Sequence, residues 1–132
     1  METTYLCPKC KAVLNVTGDI ILSAKNSKGD CGLILLHPSI GNYQVICHQD
    51  FIIEDGEESH FRCPACYSSM KFSGDNKLAY LIMCDENNHE YKIIFSRIKG
   101  EQSTYKIQGE SLDIYGKDSQ KHLDIINLCK FD

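Results

Sequence analysis

Cys7-Pro8-Lys9-Cys10 opens a segment that runs on to Asn15-Val16-Thr17-Gly18-Asp19, and Cys63-Pro64-Ala65-Cys66 opens one that runs on to Lys71-Phe72-Ser73-Gly74-Asp75. In both, the Gly-Asp pair begins eleven residues after the first cysteine, with no gap. Further along, Leu33-Ile34-Leu35-Leu36 reads against Lys92-Ile93-Ile94-Phe95, and the loop Gly41-Asn42-Tyr43 against Gly100-Glu101 up to Tyr105. Val45 then answers Ile107, and Gly56 answers Gly116. A match that includes cysteine, proline and Gly-Asp, rather than apolar residues alone, reads as an internal duplication. It divides the chain into a first knuckle and β module at residues 1–58 and a second knuckle, β module and C-terminal helix at residues 59–132.

Within each copy, short apolar runs are separated by turn-forming clusters such as Asn26-Ser27-Lys28-Gly29-Asp30 and Asp85-Glu86-Asn87-Asn88. Strands are expected at 13–16, 20–24, 32–36, 43–46 and 51–53, and again at 70–72, 78–83, 91–96, 104–107 and 112–114. The acidic stretch Glu54-Asp55-Gly56-Glu57-Glu58 reads as a solvated turn between copies. Asp118 or Ser119 is placed to cap one short helix carrying Leu123, Ile126 and Leu128.

Two cysteines three apart on a tight turn direct both sulfurs at one point, and the proline between them fixes φ. Turn amides can donate to those sulfurs and orient them. Two such turns make a Cys₄ set, the closed tetrahedral shell of a structural zinc site. The expectation is one Zn²⁺ per chain on Cys7, Cys10, Cys63 and Cys66, with iron the lesser alternative because thiolates accept either metal. A rival arrangement completes Cys63 and Cys66 locally with Cys84 and His89, and Cys7 and Cys10 with Cys31 plus Cys47, His37 or His48. The repeat favours the shared site, because only the knuckles occur in both copies.

The knuckles resemble those of the zinc-ribbon superfamily, small β proteins in which two C-P-x-C-type turns grip one zinc. The resemblance covers residues 5–16 and 61–72, so it implies the metal site and the local fold and no particular function. Lys11 and Tyr67 stand where ribbons and rubredoxins usually carry glycine. That departure counts against a rubredoxin-like iron centre, since close amide-to-sulfur approach is easiest with glycine. A whole β module also separates the knuckles. The expected fold is therefore mainly β: two pseudo-symmetric, zinc-ribbon-like modules sharing one metal site, with a short C-terminal helix.

Length and composition agree with a small globular protein. The chain has 132 residues, 42% hydrophobic and 24% charged, and half of it alone would bury a marginal core. The first residues, Met1-Glu2-Thr3-Thr4-Tyr5, show no basic segment followed by an apolar stretch, and the longest aliphatic run, Leu33 to Leu36, is far too short for a bilayer. A cytoplasmic location without membrane attachment is expected, where eight cysteines serve as metal ligands or buried thiols rather than disulfides.

Net charge is −4, a poor footprint for a phosphate backbone. Neither knuckle precedes a helical pattern of the thioredoxin kind, and no phosphate-binding glycine loop or Gly-x-Ser-x-Gly elbow occurs. The expected function is a non-catalytic, metal-stabilised adaptor for a protein partner. The loop Phe95 to Tyr105 carries Arg97, Lys99 and Glu101 and is the candidate recognition surface. One alternative is a nucleic-acid-binding ribbon using Lys71, Lys77, Lys92, Arg97, Lys99 and Lys106. A second is a metal-dependent enzyme using Cys84 and His89 at an open coordination position.

Overall fold

The computed structural model describes residues 3–16, 18–72, 77–122 and 126. Among the described residues ten strands follow one another: β1 (Thr4–Leu6), β2 (Asn15–Val16), β3 (Asp19–Lys25), β4 (Cys31–Leu36), β5 (Val45–Cys47), β6 (His60–Arg62), β7 (Leu78–Cys84), β8 (Glu90–Ser96), β9 (Thr104–Gln108) and β10 (Ser111–Tyr115). They form two antiparallel sheets. The N-terminal sheet runs β2-β3-β4-β5, with β6 also paired to β3; the C-terminal sheet runs β1-β7-β8-β9-β10. No helix among the described residues is long and apolar enough to cross a membrane.

Eight of the ten strands fall on or beside sequence-expected runs. The expected strands at 51–53 and 70–72 are not strands, although Phe51, Ile53, Met70 and Phe72 are buried. The expectation fails there because apolar alternation reports burial, and these residues fill the core from extended loops. The two strands that the sequence reading missed, β1 and β6, directly precede the knuckles, and each joins the sheet built by the other half of the chain. β1 pairs with β7 through Tyr5↔Met83, and β6 pairs with β3 through Phe61↔Ala24. The remaining length of the same β3 edge is taken by β2, and that of β7 by a bridge from Lys71 to Ala79.

The sheets pack face to face. Ile20, Leu22 and Ile34 meet Leu81, Met83 and Ile93 in one cluster, which also buries Cys7 and Cys63. Phe61 and Phe95 stack across the interface with ring centroids 5.8 Å apart. Gly32 in β4 lets Phe51 lie flat on the strand, since a Cβ there would stand 2.6 Å from the ring. The outer face of the C-terminal sheet has its own cluster of Leu78, Ile94, Tyr105 and Ile107, closed by Phe72 and Ile126.

Where a C-terminal helix is expected, the described residues form a lone 3-10 turn, Ser119–His122. Asp118 does not cap it with its carboxylate. That group accepts the Gln102 amide at 2.9 Å, and Tyr105 donates its hydroxyl to the Ser119 carbonyl, so tertiary bonds outcompete local ones. Ile126 is fully buried; Leu123 and Leu128 lie outside the described residues, as do Thr17, Cys129 and the second Gly-Asp turn at 73–76.

The acidic stretch at 54–58 does more than bridge two modules. Glu57 accepts the Ser27 amide at 2.6 Å, the Ser27 hydroxyl and the Glu54 amide at 2.8 Å, clamping the β3–β4 turn to the linker. These bonds, the Ser27 hydroxyl's above all, hold the Glu57 carboxyl at about 2, below its usual 4.5. A depressed carboxylate contributes stability that is complete above the ordinary pKa and is lost as pH falls through the folded one. Glu57→Gln should therefore lower the thermal midpoint at neutral pH. The gap to the unaltered protein should close between about pH 4.5 and about pH 2 in a pH series of unfolding curves.

Candidate metal centre

Each knuckle is a small hairpin whose limbs belong to different sheets. In the first, Leu6 bridges Val13, Lys11 donates its amide to the Cys7 carbonyl at 3.0 Å, and Leu14 donates to Tyr5 at 2.7 Å. In the second, Arg62 bridges Ser69, Tyr67 donates to Cys63 at 2.8 Å and Met70 donates to Phe61 at 2.9 Å. The sulfur contacts correspond as well. Cys7 Sγ accepts the amides of Lys9 and Cys10 at 3.3 and 3.5 Å, and Cys63 Sγ accepts those of Ala65 and Cys66 at 3.3 and 3.5 Å.

The two hairpins face each other tip to tip. Cys7 Sγ lies 3.8 Å from Cys66 Sγ, and Cys10 Sγ lies 3.8 Å from Cys63 Sγ. All four sulfurs are within 4.8 Å of one another, and the cysteines are unbridged. A tetrahedron with metal–sulfur bonds of about 2.3 Å has edges of about 3.8 Å, so the spacing fits a single four-coordinate ion. Cys7 and Cys63 are fully buried, whereas Cys10 and Cys66 lie at the surface. An ion would thus sit at the rim of the core, one side covered and the other open to exchange.

Cys66 and Cys10, the two thiols at the surface, do not ionise alike. Ser68 donates its hydroxyl and its amide to Cys66, and with donation from Cys10 and Cys7 this lowers the Cys66 thiol to about 6. Cys10 receives only a backbone amide, from Ala12, which lowers it; desolvation and hydrogen bonding with Cys66, Cys7 and Cys63 outweigh that and push it up to about 12. A divalent ion takes all four as thiolates, so its uptake releases protons and is opposed by acid.

Lys11 and Tyr67 occupy the left-handed region, with φ of 64° and 61°. The turn that glycine usually makes therefore forms without it, and the amide-to-sulfur contacts are kept. The residue type after the second cysteine does not separate zinc from iron here. The strain falls on side chains: Tyr67 is partly repaid by the Arg62 guanidinium 4.9 Å above its ring and by Arg62 donating to its carbonyl at 3.0 Å.

Cys84 and His89 are not brought to the knuckles. They flank the β7–β8 turn, where Cys84 Sγ approaches the Asp85 carbonyl and His89 Nδ1 lies 3.4 Å from Asp85 Oδ2. Cys31 and Cys47 are exposed, and His37 and His48 accept amides of their own loops at 3.0 Å. Among the described residues, the four knuckle cysteines are the one cysteine, histidine or carboxylate group arranged to hold a metal.

The charged loop is turned inward. Arg97 is buried, donating Nε to the Ser59 carbonyl at 2.8 Å with Nη2 3.0 Å from His60 Nδ1. Lys99 donates Nζ to the Ile53 carbonyl at 2.7 Å. Glu101 accepts from His122 Nε2 at 2.7 Å and pairs with Lys121 at 3.6 Å. Burial opposes ionisation of Glu101, but the hydrogen bonds from His122 and Ser96 and the charges of His122 and Lys121 together outweigh it and hold the carboxyl below its usual range. The sequence reading missed Ser68, which tunes Cys66, and Ser59, which is almost fully buried; a single serine beside a knuckle or an acidic turn gives no pattern to find.

No protein-family model, curated protein or solved structure matches the chain.

A left-handed conformation costs a non-glycine residue about 1–2 kcal/mol. Lys11 is exposed, and its backbone alone takes part in the knuckle's hydrogen bonds. Lys11→Gly should therefore raise the stability of the metal-loaded protein by about 1 kcal/mol, less whatever the looser unfolded chain offsets. Tyr67→Gly should gain less, because it removes the ring beneath Arg62. Parallel denaturant titrations check both.

Proposed function

We infer that the chain is a non-catalytic adaptor whose two halves, residues 1–58 and 59–132, arose by duplication and are stapled by one structural zinc ion. The observation that carries this reading is the set of four knuckle sulfurs at tetrahedral spacing, two from each half. Four protein thiolates fill the coordination shell and leave no position for substrate or water, which is the arrangement of structural rather than catalytic zinc. Resemblance to the zinc-ribbon superfamily supports zinc over iron, and reduced cysteines suit a cytoplasmic location.

Support for a protein partner comes from comparing the two sheets. In the C-terminal sheet the cross-strand row Tyr80, Ile94 and Tyr105 lies in the cluster closed by Ile126. The corresponding row in the N-terminal sheet is Ile21, Leu35 and Ile46. Ile46 is 48% exposed and the neighbouring Leu33 58%, and no described residue forms a second cluster over them. An exposed apolar row on a sheet face is what a protein partner would cover. Nucleic acid is less well supported. Arg97 is buried, Lys99 is tied to a backbone carbonyl, and Lys92 and Lys106 pair with Ile107 and Ile93, which puts them on opposite faces of the sheet.

Elemental analysis of protein purified without added metal, with native mass, should give one zinc and no iron per chain. Cys10→Ser should abolish the metal and destabilise the fold by several kcal/mol, while Cys84→Ser should leave metal content unchanged; loss of metal in Cys84→Ser would favour the local site and reopen catalysis.

Ile46→Glu should remove the cross-linked protein partners that the unaltered chain captures, at constant zinc content. Neither protein should bind single- or double-stranded oligonucleotides in a salt-sensitive manner. Salt-sensitive oligonucleotide binding with no effect of Ile46→Glu on cross-linking would replace the adaptor reading.

A further inference from the structure

Between the two sheets, on the side reached by the loops at 37–44 and 96–102, lies a cavity of about 350 Å³. Its size falls within the range of small-molecule sites. The depth is apolar: Ile20 and Ile34 line it from one sheet, Leu81 and Ile93 from the other, and all four are buried. Many polar residues line the cavity as well, but burial sorts them. Ser59, Arg97 and Thr104 are buried, whereas the others, Asn42, Asp55 and Lys99 among them, are exposed or half-buried.

The polar groups in the depth are matched within the protein, with one exception. Thr104 Oγ1 bonds the Tyr43 hydroxyl at 2.9 Å, and the buried Tyr5 gives its hydroxyl to the Pro38 carbonyl. Arg97 donates Nε to the Ser59 carbonyl at 2.8 Å and holds Nη2 3.0 Å from His60 Nδ1. Ser59 in turn donates its amide to the Arg97 carbonyl at 3.0 Å. Both backbone groups of Ser59 are thereby engaged, and its hydroxyl is left over. The residue is 1% exposed, and that hydroxyl is the one buried side-chain oxygen or nitrogen with no hydrogen-bond partner among the described residues. Buried hydroxyls are nearly always satisfied, so an orphan on a cavity wall calls for an occupant that completes it.

The charges around the cavity argue that the occupant is neutral. Two acids, Asp55 and Glu101, and two bases, Arg97 and Lys99, line it, and their formal charges cancel. Glu101 is bonded to His122 and Lys121, Lys99 Nζ to the Ile53 carbonyl at 2.7 Å, and Arg97 as above. An ion drawn between the apolar walls would give up its water for no matching counter-charge, which is costly. An uncharged molecule avoids that cost, and a serine hydroxyl can either donate to its oxygen or accept from it.

We propose that this cavity binds an uncharged aliphatic molecule carrying one hydrogen-bonding oxygen, such as a medium-chain alcohol. Its chain lies between the two sheets and its oxygen meets the Ser59 hydroxyl. The site is separate from the four knuckle cysteines, none of which lines it.

The test uses the full chain as purified, titrated with butanol, hexanol, octanol, octanoate and octylammonium by calorimetry and by side-chain methyl chemical shifts. Expected is saturable alcohol binding that tightens about fourfold per added methylene, with shifts at Ile34, Leu81 and Ile93. Octanoate and octylammonium should each bind at least about tenfold more weakly than octanol. Ser59→Ala should weaken octanol by about fivefold without lowering the thermal midpoint of the ligand-free protein, because it removes an unsatisfied buried group. A serine that mattered only to the fold would give the reverse, a lower midpoint with unchanged affinity, and that result overturns the proposal. So does either charged analogue binding as tightly as octanol, or a set of shifts confined to the outer row Ile21, Leu35 and Ile46. Absence of saturable alcohol binding up to the solubility limit overturns it too, and would assign the Ser59 hydroxyl to ordered water alone. If Ser59→Ala does not fold, the head-group comparison and the shifts in the unaltered protein decide.

Discussion

Four sulfurs have to meet where the chain crosses from one sheet to the other, and most of the architecture follows from that meeting. Each knuckle enters from a strand in one sheet and leaves toward the other: β1 lies in the C-terminal sheet and β2 in the N-terminal one, while β6 lies in the N-terminal sheet and Met70 to Phe72 run into β7. A three-residue strand pairing contributes little by itself, so β1 and β6 are weak attachments. A metal ion held by the four thiolates could supply on the order of 10 kcal/mol, which is the scale needed to hold two short strands on foreign sheet edges. The same exchange removes an exposed edge from β3 and from β7, where an open edge would invite aggregation.

Correspondence between the knuckles ends where their surroundings differ. Cys66 has the Ser68 hydroxyl and Cys10 has only the Ala12 amide, so two surface thiols in matching turns are set far apart in acidity. The sheets differ in the same manner. One outer face is closed by the C-terminal segment through Tyr105, Ser119 and Ile126, and no described residue forms a cluster over the equivalent face of the other. The two sheets thus present different outer faces, one of them closed by the chain's own C-terminal segment.

The four clustered cysteines and most strands were legible in the sequence because both rest on short-range spacing. Cysteines three apart with a proline between them report a turn, and Tyr91, Ile93 and Phe95 alternate along one face of β8, although the strand is not half-buried, since Ile94 on the other face is fully buried too. What was not legible depends on the distant chain. β1 and β6 are three residues each, too short for any period, although Tyr5 and Phe61 stand two residues ahead of their first cysteines and are both buried. The loop at 95–105 reads as a hydrophilic surface, and only the fold turns Arg97 inward to the Ser59 carbonyl. The alignment of Val45 with Ile107 also shifts. Val45 pairs with Leu36 and Thr104 with Phe95, so the position equivalent to Val45 in the sheet is Thr104, and the loops at 37–44 and 96–103 are equal in length.

The staple and the cavity constrain one another. Both cavity walls belong to sheets whose relative position is fixed partly by the knuckles, and Tyr5, on the strand leading into Cys7, lines the cavity. An ion on the sulfurs and an occupant between the sheets would therefore stabilise the same arrangement of the same two bodies. Linkage makes such an effect reciprocal: whatever factor the ion adds to the affinity for the occupant, the occupant adds to that for the ion. Because Cys10 and Cys66 face solvent while Cys7 and Cys63 lie in the core, the exchangeable side of the site is the one farthest from the packing that the cavity shares. β1 and β6, the two strands that the sheets borrow from each other, lead directly into Cys7 and Cys63 and join that packing to the sulfurs.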